Sequence, residues 1–418
     1  MFHGGCWVKD RGWLAPYLYA MHSEDGLFYL RFPREDGAAL LAQGIEDAFE
    51  VQAGEQVDWT KLNEWLSASN DWVFGWIGYD VRRSIEQFGS EELKPSAFPQ
   101  LVFFRPVNLF KVHEDSIETL KGTWSDAFDS WLKLEPEGTS SPIVLEPAID
   151  YSTYTRQVES LKREIALGNV YELNYCMPFE ANAVLENPEQ TWKRMYAKTQ
   201  APFSAFASYG PFHVLCTSPE RYLKRSGNRV ISQPIKGTIR RGANTEEDEH
   251  LKARLSESKK ERAENVMIVD LVRNDLSRCA ERNSVEVEEL FGVHTFKTVH
   301  HLISTIRCDV RSEISVVDLL RASFPMGSMT GAPKVSAMQL IAQHEVTERG
   351  VYSGSIGYIE PSGDFDFNVV IRSVQYDASS QYVSCHVGGA ITALCNAEDE
   401  YNECLLKAEA ILGALRGE

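Results

Sequence analysis

The sequence predicts an α+β fold with largely antiparallel sheets flanked by helices. Three observations predict it. Segments rich in aromatic and β-branched residues come in hairpin-like runs, separated by polar, glycine or proline turns. Helical patterns are grouped between those runs instead of alternating with single strands, which argues against a doubly wound parallel sheet. The chain has 418 residues, enough for a sizeable core.

Segments 27–32, 72–79 and 101–112 read as strands. Segment 134–147 holds three prolines and a Gly-Thr-Ser-Ser cluster, and reads as a linker between an N-terminal region (1–148) and a catalytic region (149–418). Residues 151–167 have the spacing of an amphipathic helix. Residues 203–241 read as successive strands broken by Tyr-Gly-Pro and Ser-Gly-Asn, followed by helices near 246–258 and 259–279. A strand block at 294–310 leads to a loop and a helix near 332–343. Segments 351–359 and 365–376 form a hairpin around Pro-Ser-Gly-Asp, and a further strand and a last helix close the chain.

The formal net charge of -18 repels nucleic acid and anionic membranes. A local basic pocket can still hold a small anion. The eight cysteines are scattered, with neither CxxC spacing nor a Cys/His cluster, which fits a reducing compartment. Lys9, Asp10 and Arg11 interrupt any leader-like apolar stretch, and no apolar run is long enough to span a bilayer. These features describe a cytoplasmic enzyme.

Candidate chemistry begins in the last helix. Asn396 is placed to cap it. At about 100° per residue, Glu400, Glu403 and Lys407 share one face, while Tyr401, Leu405, Ala408, Leu412 and Leu415 form an apolar stripe. An exposed i,i+4 salt bridge suits the same spacing. The helix around 262–277 is apolar nearly all round, which predicts burial, yet it carries Glu264, Asp270, Arg273 and Asp275. Buried charges need partners. A carboxylate from this helix and one from the last would suit a Mg2+ ion that keeps some of its water. In FPMGSMTGAPKVSAM (324–338), Thr330 or Gly331 can cap a helix whose first turn holds Pro333, and its free amides could hold a carboxylate. Pro234 and Gly237 place Lys236 on constrained, non-helical backbone, where it is either a water-facing lysine or a nucleophile. Arg372 lies in an apolar strand and wants a bidentate anion. Gly388 and Gly389 mark a close backbone approach. His301 shares a strand face with Val299 and Ile303, as a core histidine would.

Taken together and in order, these segments resemble the chorismate-utilising enzymes: the anthranilate, aminodeoxychorismate, isochorismate and salicylate synthases. The matching stretches include YELNYCMPF (171–179), TSPERYL (217–223), QPIKGT (233–238), ENVMIVDLVRNDL (264–276), VHHLIST (299–305), YSGSIGYI (352–359), NVVIRS (368–373), GGAIT (388–392) and EDEYNECLLKA (398–408), with FGWIGYD (74–80) in the N-terminal third. The resemblance implies two roughly orthogonal, largely antiparallel sheets flanked by helices. It implies Mg2+ at Glu264 and Glu403, with Glu400 nearby, holding the ring carboxylate of chorismate. It assigns the enolpyruvyl carboxylate to Arg372, Tyr352 and the amide of Gly388, beside Gly389. Thr330, Gly331 and Lys407 would line the pocket, Glu220 would be the general acid, and His301 would assist the ring chemistry.

Within that family, PIKGT around Lys236 is similar to the aminodeoxychorismate branch, whereas anthranilate synthases carry alanine in place of the lysine. The resemblance then implies that Lys236 attacks C2 and that ammonia adds at C4. It also implies a separate glutamine amidotransferase subunit, since no cysteine sits in a nucleophile-elbow setting. Anthranilate synthesis and a non-catalytic chorismate-binding regulator are the alternative readings. The chain departs from the branch at Glu172, where glutamine is usual, and at Ala390, where a third glycine is usual. A carboxylate at 172 could steer ammonium or act as a base.

Overall fold

The computed structural model describes residues 26–86, 93–133 and 141–417. Its named strands pair antiparallel throughout. They form two layers that share strands.

One layer runs from Val299–Asp309 through Arg229–Gln233, Arg221–Ser226, Phe365–Asn368 and Ser355–Ile359 to Val73–Ile77. The other runs from Leu27–Arg31 through Phe203–Tyr209, Phe212–Ser218, Ser373–Asp377 and Tyr382–Thr392 to Glu172–Asn182. The long strands Ala39–Val51 and Leu101–Val112 belong to both. Leu101–Ile77 and Phe104–Phe74 pairs tie them to the first layer, and Leu40–Leu30 pairing ties them to the second. Their register shifts between Ile45 and Asp47, the kind of bulge that bends a strand from one sheet into another. At the opposite side the layers are joined again. The pair Phe212–Ser218 and Ser373–Asp377 continues, after a break, as Arg221–Ser226 and Phe365–Asn368.

Period-two alternation explains the layering. Phe28, Leu30, Phe74, Trp76, Val102, Phe104, Ala205 and Val214 point between the sheets and form an aromatic-rich core. Leu173, Tyr175, Met177 and Phe179 point outward, under the helices Tyr151–Ala166, Pro188–Thr199, Lys334–His344 and Ala397–Arg416. The other outer face is covered by Trp59–Ser67, Lys259–Ser277 and Val316–Ser323, which bring Leu62, Ile268 and Leu320 against Leu223 and Phe367. Each large apolar side chain so buried contributes about 2 kcal/mol relative to exposure. All seven described cysteines are free and buried. Burial pushes the thiols of Cys176, Cys216, Cys308 and Cys385 up to about 12. Cys6 lies outside the described residues.

Several local expectations are corrected. Residues 134–140 of the expected linker lie outside the described residues. The rest is packed: Ile143 and Leu145 are core residues, and the Ile143 amide donates to the Leu415 carbonyl at 3.0 Å. Segment 365–376 is not one strand but two, Phe365–Asn368 and Ser373–Asp377, so Arg372 lies in the break. Neither Thr330 nor Gly331 caps the following helix. Pro333 does, because Gly331–Ala332 pairs with Leu173 and Glu172 as a two-residue strand. The helix Lys259–Ser277 is not apolar all round: Val266 is 42% exposed, and Asp270 and Arg273 pair on the solvent side at 2.7 Å. On the last helix Leu405 is exposed, and the buried stripe runs instead through Cys404, Ala408, Ile411 and Leu415.

Candidate active site

The break that joins the two sheets holds the first pair of site residues. Glu220 sits between Phe212–Ser218 and Arg221–Ser226, and Arg372 sits opposite it, with φ +51. The segments stay bonded across the gap. The Val369 amide donates to the Glu220 carbonyl at 3.0 Å, and the Thr217 amide to the Arg372 carbonyl at 3.1 Å. A left-handed backbone is uncommon for a non-glycine residue; here it accompanies the break in the strand. Arg221 and Asp366 form a buried two-point ion pair beside Glu220, at 2.9 and 3.0 Å. Burial pushes the Glu220 carboxyl up to about 7, against a hydrogen bond from Ser328 and the charges of Lys236 and Arg372.

Lys236 is delivered by a bulge. The pairing of Ile235–Arg240 with Val299–Asp309 shifts register between Ile235 and Thr238, and Gly237 has φ +90. Glycine takes that conformation without steric cost, and the bulge re-aims the preceding side chain. Next to it His301 is buried, its Nδ1 2.8 Å from the Thr238 hydroxyl. Burial, with Arg372 nearby, pulls His301 down to about 3. Its imidazole is therefore neutral at physiological pH.

The acidic group lies beyond Lys236. Asn396 caps the closing helix, its side chain accepting from the amides of Glu398 and Asp399. That fixes the turn from which Glu400 and Glu403 project. A Cβ on Gly389 would stand 2.9 Å from Glu400 Oε2, so the bare backbone leaves that carboxylate its place; Lys407 Nζ and Glu403 Oε1 lie within 4.0 Å of the same point. Lys407 Nζ donates to the Gly388 carbonyl at 2.8 Å and stands 2.7 Å from Glu403. Glu264 comes from Lys259–Ser277, with Lys260 Nζ 3.9 Å from both Glu264 and Glu400. Burial, then repulsion from Glu403, pushes Glu400 up to about 7. Burial also pushes Glu403 upward, but Lys407, with Lys260 and Lys236 beyond, outweighs it and leaves Glu403 below its ordinary value.

Of the remaining candidates, Thr330, Gly331 and Tyr352 join neither group, while Gly388 meets the acidic one through its carbonyl. Thr330 is buried, and its hydroxyl donates to the Met326 carbonyl at 3.1 Å. Gly331 lies so close to the 172–173 backbone that a Cβ would stand 2.3 Å from the Glu172 carbonyl. Tyr352 stacks on His386 at 5.3 Å, and its hydroxyl meets the Cys176 thiol at 3.8 Å. A Cβ on Gly388 would stand 2.5 Å from that same sulfur. Among the described residues, no three His, Cys, Asp or Glu side chains close on one point.

Comparison with known proteins places this arrangement. The chorismate binding enzyme family matches residues 26–413. The chain belongs to the chorismate binding enzymes. A relative from Streptomyces griseus, named aminodeoxychorismate synthase, is 39% identical over 82% of this chain, which spans half of that protein's length. Aminodeoxychorismate synthase component 1 of Salmonella typhimurium is 36% identical over 82% of this chain and 76% of its own. The fold is that of anthranilate synthase component I from Streptococcus pneumoniae, with a TM-score of 0.74, 24% identity, and coverage of 98% of this chain and 95% of that one.

In this member of the chorismate binding enzymes, the structure adds residues that the sequence reading did not single out. Glu345 and Arg349 form a buried ion pair, bonded at 2.9 and 2.6 Å. Arg349 also donates to the carbonyls of Met329 and Asn174, each at 2.8 Å, and Glu345 accepts from the Cys176 amide at 2.9 Å. The pair thus holds the loop before Thr330 against the strand that carries Glu172. An arginine four residues after a glutamate, just before an apolar stretch, was the available signal. Lys260 and Ser328 were missed too, and nothing local in the sequence marks either.

Proposed function

We propose that the chain is the chorismate-using subunit of aminodeoxychorismate synthase, replacing the 4-hydroxyl of chorismate by an amino group in a route to 4-aminobenzoate and folate. The observation that carries the reading is Lys236, set on a bulge within electrostatic reach of Glu220. It is joined by the names of the Streptomyces and Salmonella relatives.

In this reading Lys236 forms a bond to C2 while Glu220, protonated near neutrality, donates to the departing 4-hydroxyl. Covalent catalysis divides one difficult displacement into two easier ones. Ammonia then adds at C4 and releases the lysine. Arg372, Tyr352 and the Gly388 amide hold the enolpyruvyl carboxylate, with Gly389, Thr330, Gly331 and Lys407 shaping the pocket. Neutral His301 orients the ring through hydrogen bonding and gives up no proton. Residues 149–418 supply this chemistry, and the described strands before them complete the sheets that carry it.

The acidic group fits Mg2+. Glu264 Oε1 is buried without a hydrogen-bond partner, and carboxylate oxygens are the donors this ion takes, with water filling the other positions. Glu264 and Glu403 would hold it, with Glu400 beside them. Bound there, the ion supplies positive charge for the ring carboxylate. The nitrogen comes from ammonia made by a separate glutamine amidotransferase subunit, a reading supported by the burial of all seven described cysteines, which places them poorly to attack glutamine. No helix of the described residues is long and apolar enough to cross a membrane, which accords with a cytoplasmic setting, and the charge of -18 speaks against a nucleic-acid partner.

The test is incubation of the purified chain with chorismate, Mg2+ and an ammonium salt, with products identified by mass. Aminodeoxychorismate is expected. Anthranilate would favour the other branch, and no turnover would favour a regulator. Lys236→Ala should lower amination by at least about 100-fold with folding retained. Near wild-type amination by that variant would remove the nucleophile from the mechanism.

A further inference from the structure

Tyr352 is one of the three groups assigned to the enolpyruvyl carboxylate, and it lies in a turn outside any strand or helix. The backbone on either side of it is held. The Val351 amide donates to Gln375 Oε1 at 2.7 Å, and the Ser353 amide donates to the Val370 carbonyl at 2.8 Å, with Ser353 at φ +61. The phenol is held by other contacts. Its hydroxyl accepts from the Cys176 thiol at 3.8 Å, and that sulfur accepts from Asn174 Nδ2 at 3.2 Å. The Tyr352 O–H therefore keeps its own proton for another acceptor.

The plane of the phenol is met by His386. The strand Tyr382–Thr392 sends Cys385 and Val387 into the helix-covered core. Alternation turns His386 and Gly388 to the opposite face, where Gly388 pairs with Cys176. His386 is buried, and its imidazole stacks on the Tyr352 ring, with centroids 5.3 Å apart and planes inclined by 20°. Stacking of this kind favours one ring geometry over others. His386 Nε2 lies 3.3 Å from the Thr347 hydroxyl, which ties the imidazole to the segment that leads into Tyr352. Its Nδ1 is buried without a hydrogen-bond partner among the described residues, so the ring completes no further network. Burial, then the charge of Arg349, pulls His386 down to about 3. The imidazole is therefore neutral near pH 7 and offers no acid proton. What it does offer is a flat surface, fixed two residues from the Gly388 amide on the same strand.

We propose that His386 is a positioning residue: its ring fixes the Tyr352 phenol relative to the Gly388 strand, so that hydroxyl and amide reach the enolpyruvyl carboxylate together. The inference rests on the carboxylate assignment made above for chorismate. That carboxylate is held alike in the ground and transition states, so loss of the ring acts on KM and spares kcat.

The experiment uses the full chain with Mg2+ and two ring ligands. One is 3-(carboxymethoxy)benzoate, which carries an ether carboxylate; the other is 3-methoxybenzoate, which lacks it. Calorimetry gives the ratio of their affinities in wild type, His386→Leu, His386→Phe and Tyr352→Phe. Leucine fills the space without a plane, and phenylalanine restores the plane without the Thr347 contact. Wild type should favour the carboxymethoxy ligand. His386→Leu and Tyr352→Phe should each reduce that preference by about tenfold, with the affinity for 3-methoxybenzoate kept within a few-fold. His386→Phe should restore it. With chorismate and an ammonium salt, His386→Leu should raise KM by about tenfold and leave kcat within a few-fold. An unchanged ratio in His386→Leu, where Tyr352→Phe lowers it, overturns the proposal. So does a loss shared equally by both ligands, which is what a merely structural role gives, or a His386→Phe variant no better than His386→Leu. An unchanged ratio in Tyr352→Phe overturns the carboxylate assignment and the proposal with it. A wild-type chain that shows the preference yet makes no aminated product would instead overturn the proposed activity, while the role of His386 stands.

Discussion

Glu220 shows how burial assigns a role to a single side chain. Its carboxyl is pushed up to about 7 by burial, more than Ser328 and the nearby cations can offset. The protonated form, which a general acid needs, is therefore present near neutrality and disappears as pH rises through about 7. Amination per free ammonia should fall on that side, and Glu220→Gln should lower it by about 100-fold and remove that limb. A variant that keeps both rate and limb would take the acid role away from Glu220. The sign carries over to stability. A carboxyl raised in the fold favours folding at low pH and loses that contribution as pH climbs through its folded value. Between about pH 6 and about pH 8, the glutamine variant should thus lose less stability than wild type, as denaturant titration would show. Residue identities of this kind were legible in the sequence. Lys236, Glu220 and Glu264 stand in short stretches whose order resembles one family. What sequence could not supply was environment: the neutrality of His301 comes from burial and Arg372, and these are set by distant segments.

Elements place the chemistry through their defects. Helices were the more legible class, because a helix from 151 to 166 or from 397 to 416 carries its period and its cap locally. Strands were legible where turns punctuated them. The break at 369–372 was not, since Val369, Val370 and Ile371 read as uninterrupted strand; the interruption is imposed by the crossing from one sheet to the other. The packed stretch 143–147 was hidden for a similar reason. Its prolines suggested a linker, while Ile143 and Leu145 are held by partners far along the chain. The closing helix permits a measurement at this scale. The Asn396 side chain accepts from two backbone amides, at 2.9 and 3.2 Å. Asn396→Ala should cost about 1 kcal/mol in denaturant unfolding. Because Glu400 and Glu403 follow within two turns, the same variant should need more Mg2+ for half-maximal amination. Unchanged stability would show that the cap contributes nothing to the fold, and unchanged Mg2+ dependence would separate it from the acidic group.

At the scale of the molecule, the layers are joined at both sides, and early strands pair with late ones. Val73–Ile77 lies against Ser355–Ile359, and Leu27–Arg31 against Phe203–Tyr209. Residues 149–418 expressed alone would leave those edges open and expose the aromatic core between the sheets. Such a fragment should show no cooperative thermal transition and no stabilisation by chorismate. A cooperative melt that shifts with chorismate would mean that the region folds on its own. The distribution of sulfur follows from the same architecture. Cys216 lies between the sheets, Cys385, Cys395 and Cys404 under one set of helices, Cys279 and Cys308 under the other, and Cys176 on Glu172–Asn182 against Tyr352. Alkylating reagents require a thiolate and a path, and the closed protein offers these seven neither. Each layer thus carries its own timekeeper: the order in which these positions acquire label records which layer parts first.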